Sequence, residues 1–183
     1  HSDYVLGEVK HTTKSLIERS GLTDEDHSRT IALGALAAKE AIEMAELSSG
    51  DLHKAVFISA TTVAGMDRTE KAYKNYQDNG VVESEVYRHH PCQDSTDTIA
   101  GHLGVGGLKF TISTACSSSA NAIMQGSRLI KNGEAEMVIV GGTDALSLFT
   151  LNGFRSLQIL DKNWCRPFDQ TRTGLNLGEG AAY

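Results

Sequence analysis

Three short runs of apolar and often β-branched residues divide the chain, and helix-forming segments separate them. The runs cover residues 54–60, 108–113 and 137–140. A short apolar run without polar alternation is typical of a strand that is buried on both faces, as in a parallel sheet. Parallel neighbours need a crossover connection, which is usually a helix and right-handed. The pattern therefore predicts an α/β fold in which helices cover both faces of a parallel sheet.

Helical patterns fill the intervals between these runs. Residues 23–26 offer capping side chains and N-terminal carboxylates to a helix that is expected to run to about residue 47. Shorter helices are predicted over residues 67–78 and 95–103, and the pair Gly141-Gly142 is predicted to end the third strand. A long helix over residues 117–130 is expected to pack through one side. That side carries Ala120, Ile123, Met124, Ser127 and Ile130.

Composition narrows the class of protein. The 183 residues, 40% of them hydrophobic, are enough for one compact domain. A net charge of −6 argues against broad nucleic-acid binding. No apolar run reaches the roughly 18 residues that a membrane span needs. Three cysteines form an odd count without scaffold-like spacing, which fits a reducing, cytoplasmic setting.

Two segments carry little predictive pattern. Residues 1–20 are polar and are predicted to be an arm or an insert, with the main domain over residues 21–183. The sequence His89-His90-Pro91-Cys92 contains metal-ligating residue types, but adjacent histidines diverge on most backbones and a zinc site needs three or four ligands. No metal site is predicted there. His102 is interpreted as a structural histidine at the end of a packing helix.

Cys116 lies where the second apolar run meets the long helix, and its neighbours are small. A helix N-terminus favours a nearby anion by about 0.3–1 kcal/mol, so this position suits a nucleophilic thiolate. The backbone N–H of Cys116 would be available to a developing oxyanion. The other interpretation is a buried structural cysteine, because free cysteines behave as small hydrophobic residues. The residues alone leave both interpretations open.

The segment Thr114-Ala115-Cys116-Ser117-Ser118-Ser119-Ala120 resembles the nucleophile motif of the β-ketoacyl-acyl-carrier-protein synthases, the condensing enzymes of fatty acid and polyketide synthesis. The resemblance continues in order through residues 133–145, 152–157, 165–169 and 172–182. It covers residues 99–183, with weaker similarity back to about Ser20. Several landmarks at compatible spacing are more specific than one short motif.

The resemblance implies a thiolase-like fold of three to five layers with a mostly parallel, mixed sheet, of which this chain is about one half. It implies that Cys116 accepts an acyl group, which then condenses with malonyl-acyl carrier protein as carbon dioxide leaves. Phe154 matches the phenylalanine that lines the acyl tunnel. The substrates are carried on phosphopantetheine, and no other cofactor is implied. The implied partners are acyl carrier protein and a second copy of the subunit, paired through residues 109–113.

In the family, the two histidines and the lysine that assist condensation lie in the C-terminal half. None of the seven histidines here lies in a stretch that resembles those motifs. We therefore expect the chain to be part of a longer polypeptide, and the fragment alone to neither acylate efficiently nor condense.

Two other functions remain open. A non-catalytic partner subunit of a ketosynthase heterodimer would shape the tunnel, although such subunits usually replace the nucleophile. A cysteine-dependent hydrolase or acyltransferase would need a histidine within hydrogen-bond reach of Cys116. Cys165 is a weaker candidate nucleophile.

The stretch from Arg155 to Arg172 is locally basic in an acidic chain. It is interpreted either as a surface near the pantetheine entrance or as internal pairing, and Arg166 and Asp169 are expected to pair with each other.

Overall fold

The computed structural model describes residues 4–24, 26–82 and 84–183. Within them, helices and strands alternate as the apolar runs predict. The helices are α1 (Thr13–Ser20), α2 (Arg29–Met44), α3 (Ser49–Lys54), α4 (Met66–Asn79), α5 (Ser84–Arg88), α6 (Cys92–His102), α7 (Ser118–Lys131) and α8 (Leu148–Ser156). The strands are β1 (Val56–Ala60), β2 (Lys109–Ile112), β3 (Val138–Asp144) and β4 (Gly180–Ala182). No helix in this described part of the chain has the length and apolar character to span a bilayer.

The strands form one mixed sheet in the order β2-β1-β3-β4. The central strand β1 is parallel to β2 and to β3, and β4 is antiparallel to β3. Ala60 is in register with Ile112 on one side and Gly142 on the other, so the carboxyl ends of the three parallel strands lie at the same edge. The predicted mostly parallel, mixed sheet is confirmed.

Helices cover both faces of the sheet, as predicted. On one face, α1, α2 and α6 bury apolar residues against Phe57 and Ile139. On the other face, α7 packs through Ala122 and Leu129 against Ile58. All five residues of β1 are buried, because this strand has a neighbour on each edge and helices on each face.

Residues 13–20, within the predicted polar arm or insert of residues 1–20, form helix α1. Thr12 caps this helix by accepting a hydrogen bond from the Ser15 N–H, and Gly21 ends it in the left-handed conformation. Leu16 and Ile17 are buried in the same apolar cluster as Phe57. Two adjacent apolar residues in a polar stretch are a weak sequence pattern, but they are enough to attach a two-turn helix to α2.

Several predicted boundaries also shift. The helix predicted to begin within residues 23–26 begins at Arg29, because Ser28 is the residue whose Oγ accepts the Ile31 N–H. Asp24 instead accepts the Asp26 N–H in a turn, and Glu25 lies outside the described residues. That helix ends at Met44, and residues 49–54 form the separate helix α3. Helix α6 begins at Cys92, three residues earlier than predicted.

Strand β3 continues through Gly141-Gly142 instead of ending there. Gly141 pairs with Ser59, and Gly142 pairs with both Ala60 and Ala182, so neighbouring strands hold the two glycines extended. Because Gly141 has no side chain, the Tyr183 ring packs directly over it. That ring stacks on Phe57 with centroids 5.5 Å apart, and its hydroxyl hydrogen-bonds Ser59 Oγ at 2.5 Å. Desolvation in this position raises the pKa of Tyr183.

The predicted inward side of α7 is wrong. Ile123, Met124 and Ile130 are 43% to 58% exposed, and the residues that face the sheet include Ala122 and Gly126. A methyl group at Gly126 would lie 3.2 Å from Val138 Cγ1, so the helix approaches the sheet through its smallest residues. Ile123, Met124 and Ile130 are left on the opposite side.

A buried ion pair joins four separate segments. Arg29 Nη2 lies 2.6 Å from Glu179 Oε1, and the two side chains are 14% and 1% exposed. Glu179 also accepts hydrogen bonds from the N–H groups of Val9 and Leu146. Arg29 also donates to the carbonyl oxygens of Val9 and His11. The pair therefore connects the N-terminal segment, α2, the β3–α8 connection and the segment before β4.

Replacing Glu179 with glutamine should lower the free energy of unfolding by about 3 kcal/mol at pH 7, because a charged Arg29 loses its buried counter-ion. Urea titration followed by circular dichroism measures the change. Glu40→Gln, at an exposed position of α2, is the matched control and should change stability by less than about 0.5 kcal/mol. Equal losses in both variants would contradict the assignment.

The effect of Glu179→Gln should also depend on pH. Desolvation raises the pKa of Glu179, but the hydrogen bonds from Arg29, Leu146 and Val9 outweigh it and hold that pKa below its ordinary value. A lowered carboxyl pKa adds stability above the unfolded value of about 4.3, and this stability is lost as the pH falls through the folded pKa. The stability difference should therefore narrow below about pH 4. A constant difference between pH 7 and about pH 3 would be inconsistent with the pair.

Gly141→Ala should lower stability by about 2 kcal/mol, because the new methyl group would overlap the Ala182 carbonyl oxygen and lie 2.5 Å from the Tyr183 ring. Gly101→Ala in α6 is the control, since the added carbon would have no contact within 4 Å beyond its chain neighbours and its own helix backbone, and alanine favours a helix. Thermal unfolding compares the two variants. Similar midpoints would show that the sheet tolerates a side chain at Gly141.

Candidate functional site

A cleft of about 600 Å³ opens at the carboxyl edge of the parallel strands. In open α/β sheets this edge is where ligands bind. The wall combines residues that follow β1, the turn between β2 and α7, the end of β3 and one side of α8. This wall includes Thr62, Val63 and Met66 after β1; Ala115 and Cys116 in the turn; Asp144 at the end of β3; and Phe149, Phe154 and Leu157 of α8 and its end.

Cys116 lies in the cleft wall, two residues before the first residue of α7. Its side chain is exposed, so packed residues do not seal the thiol from solvent. Its position also lies close to the start of a helix. The interpretation of Cys116 as a buried structural residue is therefore wrong, and the predicted strand-to-helix placement is confirmed. Its predicted role as a nucleophile stays a proposal.

Local hydrogen bonds hold the turn before Cys116. Ala115 has a φ of 52°, a left-handed conformation that costs a residue with a side chain roughly 1–3 kcal/mol. The buried Ser118 offsets this cost, since its Oγ accepts the Thr114 N–H at 2.8 Å and donates to the Ala115 carbonyl at 2.7 Å. Asn121 adds a hydrogen bond to Thr114 Oγ1 at 2.8 Å. The serines after the cysteine thus shape the turn that presents the thiol.

Phe154 lies in the same cleft wall as Cys116, where the resemblance predicted it. It is half-buried on α8, and Phe149 on the same helix is largely exposed. Glu70 of α4 fixes the start of α8 by accepting the N–H groups of Leu148 and Phe149 at 3.1 and 3.0 Å. This carboxylate at a helix N-terminus also complements the helix dipole.

Sequence reasoning missed two acidic residues that hold the cleft wall. Asp144 accepts four hydrogen bonds from residues 61–63, and Glu70 anchors α8. A polar residue at the end of an apolar strand was the available sign for Asp144, because strand ends at this edge face the cleft. Glu70 lies in a polar helix, and nothing in its surrounding sequence distinguishes it.

The histidines that sequence reasoning considered have partners elsewhere. His102 Nε2 lies 3.0 Å from the Ser20 carbonyl, which confirms its structural interpretation. His89 Nδ1 contacts Asp94 at 2.7 Å, and His90 Nδ1 contacts Thr69 Oγ1 at 2.9 Å. Among the described residues, no histidine lines the cleft. The described side chains therefore do not form the Cys–His pair that a hydrolase would need.

The expected direct pair between Arg166 and Asp169 is wrong. Both side chains hold one turn, but through Thr171. Asp169 Oδ1 accepts the Thr171 N–H and hydroxyl at 2.6 Å each, and Arg166 donates to the Thr171 carbonyl at 2.7 Å. The Thr171 hydrogen bonds lower the pKa of Asp169. Cys165, the weaker candidate nucleophile, is exposed but lies outside the wall of the cleft.

Two curated proteins illustrate the similarity of this chain to known sequences. Nodulation protein E of Rhizobium meliloti (strain 1021) is 34% identical over 182 residues, which are 97% of this chain and 45% of that protein. The 3-oxoacyl-[acyl-carrier-protein] synthase 2 of Staphylococcus aureus (strain N315) is 28% identical over 193 residues, with coverage of 99% and 46%. The chain therefore spans about half the length of the curated relatives it matches.

Solved structures agree on the fold. The ketosynthase ApeO in complex with its chain length factor ApeC, from Xenorhabdus doucetiae, matches with a TM-score of 0.79 and 30% identity over 97% of this chain and 45% of that one. The ishigamide ketosynthase/chain length factor matches with a TM-score of 0.82 and 22% identity over 94% and 44%. These neighbours confirm the thiolase-like fold, of which the chain covers roughly half. Since the family model for the beta-ketoacyl synthase N-terminal domain matches residues 5–183, the chain belongs to the β-ketoacyl synthase family.

Proposed function

We propose that this chain provides the nucleophile half of a 3-oxoacyl-[acyl-carrier-protein] synthase. The single observation that carries the proposal is the exposed Cys116 at the start of α7, in the wall of a mainly apolar cleft. A thiol in that position can meet a thioester from solvent while the acyl chain lies in the cleft. A nucleophile has to stay reduced, so a cytoplasmic setting is part of the proposal.

The proposed reaction has two stages. First, the Cys116 thiolate attacks the thioester carbonyl, a new S–C bond forms, the substrate S–C bond breaks, and phosphopantetheine leaves as its thiolate. Next, malonyl-acyl carrier protein loses carbon dioxide, and the resulting enolate carbon attacks the enzyme thioester. A C–C bond forms, the Cys116 S–C bond breaks, and the thiolate is regenerated. Negative charge develops on the carbonyl oxygen in both stages, and the Cys116 N–H beside the α7 N-terminus would stabilise it.

The acyl chain is proposed to lie along Val63, Phe154 and Leu157. These side chains are apolar and share the cleft wall with Cys116. Burial of a methylene group stabilises by about 0.8 kcal/mol, so such a wall favours an acyl chain over water. No cofactor beyond the phosphopantetheine that carries the substrates is part of the proposal.

Acyl carrier protein is proposed to approach the basic stretch between Arg155 and Arg172. Asp161 in that stretch is buried and accepts hydrogen bonds from Thr173 and Asn163, so its carboxylate is directed inward. Arg155 and Lys162 are exposed. An acidic carrier would meet a surface that is positive although the whole chain is acidic.

In the full-length protein, Cys116→Ala should abolish the covalent acyl adduct that forms with an acyl-carrier-protein thioester, because no other thiol lies in the cleft wall among the described residues. Intact-protein mass spectrometry followed by peptide mapping measures the adduct. Cys165→Ala is the control and should retain it. An adduct that survives in Cys116→Ala would refute the proposed nucleophile.

The second candidate is a non-catalytic partner subunit of a ketosynthase heterodimer. It is consistent with the likeness to a structure in which a ketosynthase, ApeO, is paired with a chain length factor, ApeC. An intact thiol at the cleft weighs against it. An unmodified Cys116 in the wild-type protein, under conditions in which a known ketosynthase is acylated, would support this candidate.

A homodimer is proposed from two exposed features. Strand β2 pairs with β1 along one edge, and no other strand of the described chain pairs with its second edge. Ile123, Met124 and Ile130 leave an apolar side of α7 uncovered. Unpaired strand edges and contiguous apolar surfaces are features that an interface covers. Ile112 packs partly into the core, so α7 offers the cleaner position for a test.

Ile123→Lys should dissociate the dimer, because a charged group would be buried at its interface. The expected weakening of association is roughly a hundredfold. Sedimentation velocity of the full-length protein measures it. Val82→Lys introduces the same charge at an exposed apolar residue of the α4–α5 connection and should leave the dimer intact. An unchanged sedimentation coefficient for Ile123→Lys would refute the interface.

A further inference from the structure

We propose that Asp144 is a positioning residue, which holds residues 61–66 in the shape that forms one wall of the acyl cleft. The inference rests on the proposed function, since it assumes that this cleft receives the acyl chain. It assigns no chemical step to Asp144.

The hydrogen bonds of Asp144 converge on a single loop. The residue ends β3, two positions beyond Gly142, which is in register with Ala60 at the end of β1. Its Oδ1 accepts the Thr61 hydroxyl at 2.7 Å, the Thr62 N–H at 2.8 Å and the Val63 N–H at 3.1 Å. Its Oδ2 accepts the Thr62 hydroxyl at 2.6 Å. One carboxylate therefore serves both hydroxyls and two backbone groups at the start of the loop.

The loop needs such support, because its conformation is strained. Ala64 is buried and has a φ of 42°, which residues with a side chain rarely adopt. Thr61 Oγ1, the same oxygen that donates to Asp144, accepts the Ala64 N–H at 3.0 Å. Strained residues persist where several contacts determine them, and they cluster at binding sites.

A second segment confines the loop from another direction. Gly65 lies so close to the His89 carbonyl that any side chain at this position would overlap it. The loop is thus held between the end of β3 and the residues that precede α6. Thr62, Val63 and Met66, which line the cleft with Cys116, take their positions from this arrangement.

The consequence is a specific division of roles. Asp144 bonds the wall and not the turn that carries Cys116, whose hydrogen bonds come from Ser118 and Asn121. Loss of the carboxylate should therefore change how the cleft accommodates a long chain. The intrinsic reactivity of the thiol toward a small reagent should change little.

The test compares two alkylating reagents on the full-length protein. Rate constants for modification of Cys116 by iodoacetamide and by N-dodecyl iodoacetamide are measured by peptide mass spectrometry. For Asp144→Asn, the iodoacetamide rate should stay within about twofold of wild type, and the ratio of the dodecyl rate to the iodoacetamide rate should fall about tenfold. Asp51→Asn is the matched control, because Asp51 also accepts a backbone N–H and a hydroxyl, both of Ser48, outside the cleft.

Thr62→Val removes one of the hydroxyl donors with little change in volume, and it provides the test if Asp144→Asn does not fold. In this variant, the ratio of the dodecyl rate to the iodoacetamide rate should fall about threefold. An unchanged ratio in the folded variants would overturn the proposal. Equal losses with both reagents would also overturn it, because they would show a general structural role.

Failure of this inference is separable from failure of the proposed function. The alkylation rates report how the cleft wall accommodates a long chain, and they require neither condensation nor a carrier protein. If the wild-type protein forms no acyl adduct but Asp144→Asn shows the predicted fall in the ratio of the dodecyl rate to the iodoacetamide rate, the proposed enzyme is refuted. The role of Asp144 is then retained.

Discussion

The ion pair between Arg29 and Glu179 is the contact on which the arrangement of the chain most depends. It joins residues that are 150 positions apart in the sequence, and its remaining hydrogen bonds go to backbone groups of Val9, His11 and Leu146 and to the Thr13 hydroxyl. Two buried charges are favourable only when their hydrogen-bonding capacity is filled, and here backbone groups of three residues and one hydroxyl supply the partners. Because Leu146 lies in the cleft wall, the pair also fixes one border of the candidate site.

Small residues at the contacts between elements allow the helix and the sheet to pack closely. Helix α7 approaches the sheet through Ala122 and Gly126, and β3 accepts the Tyr183 ring over Gly141. Close approach of backbones requires small side chains, so alanine or glycine occupies these positions. The thiol of Cys116 reaches the cleft because this approach places the start of α7 beside the ends of β1 and β3.

The same packing shows how far the sequence could lead. Apolar runs predicted β1, β2 and β3, and the small-residue motif located Cys116 and, with the resemblance, Phe154. The side of α7 was predicted wrongly, because the residues that face the sheet include the small Ala122 and Gly126, while larger apolar residues lie on the exposed side. Asp144 was missed because its importance comes from residues 61–63, some 80 positions earlier. Helix α1 was missed because only two adjacent apolar residues attach it to the core.

The position of Trp164 makes it an intrinsic fluorescent probe of one part of the surface. It is the only tryptophan in the chain, and it lies 76% exposed in the loop that precedes Arg166. An indole in water emits at longer wavelength than one surrounded by protein, so its fluorescence senses whether that loop is bare or covered. Any macromolecule that settles over this part of the surface will therefore shift the emission without an attached dye.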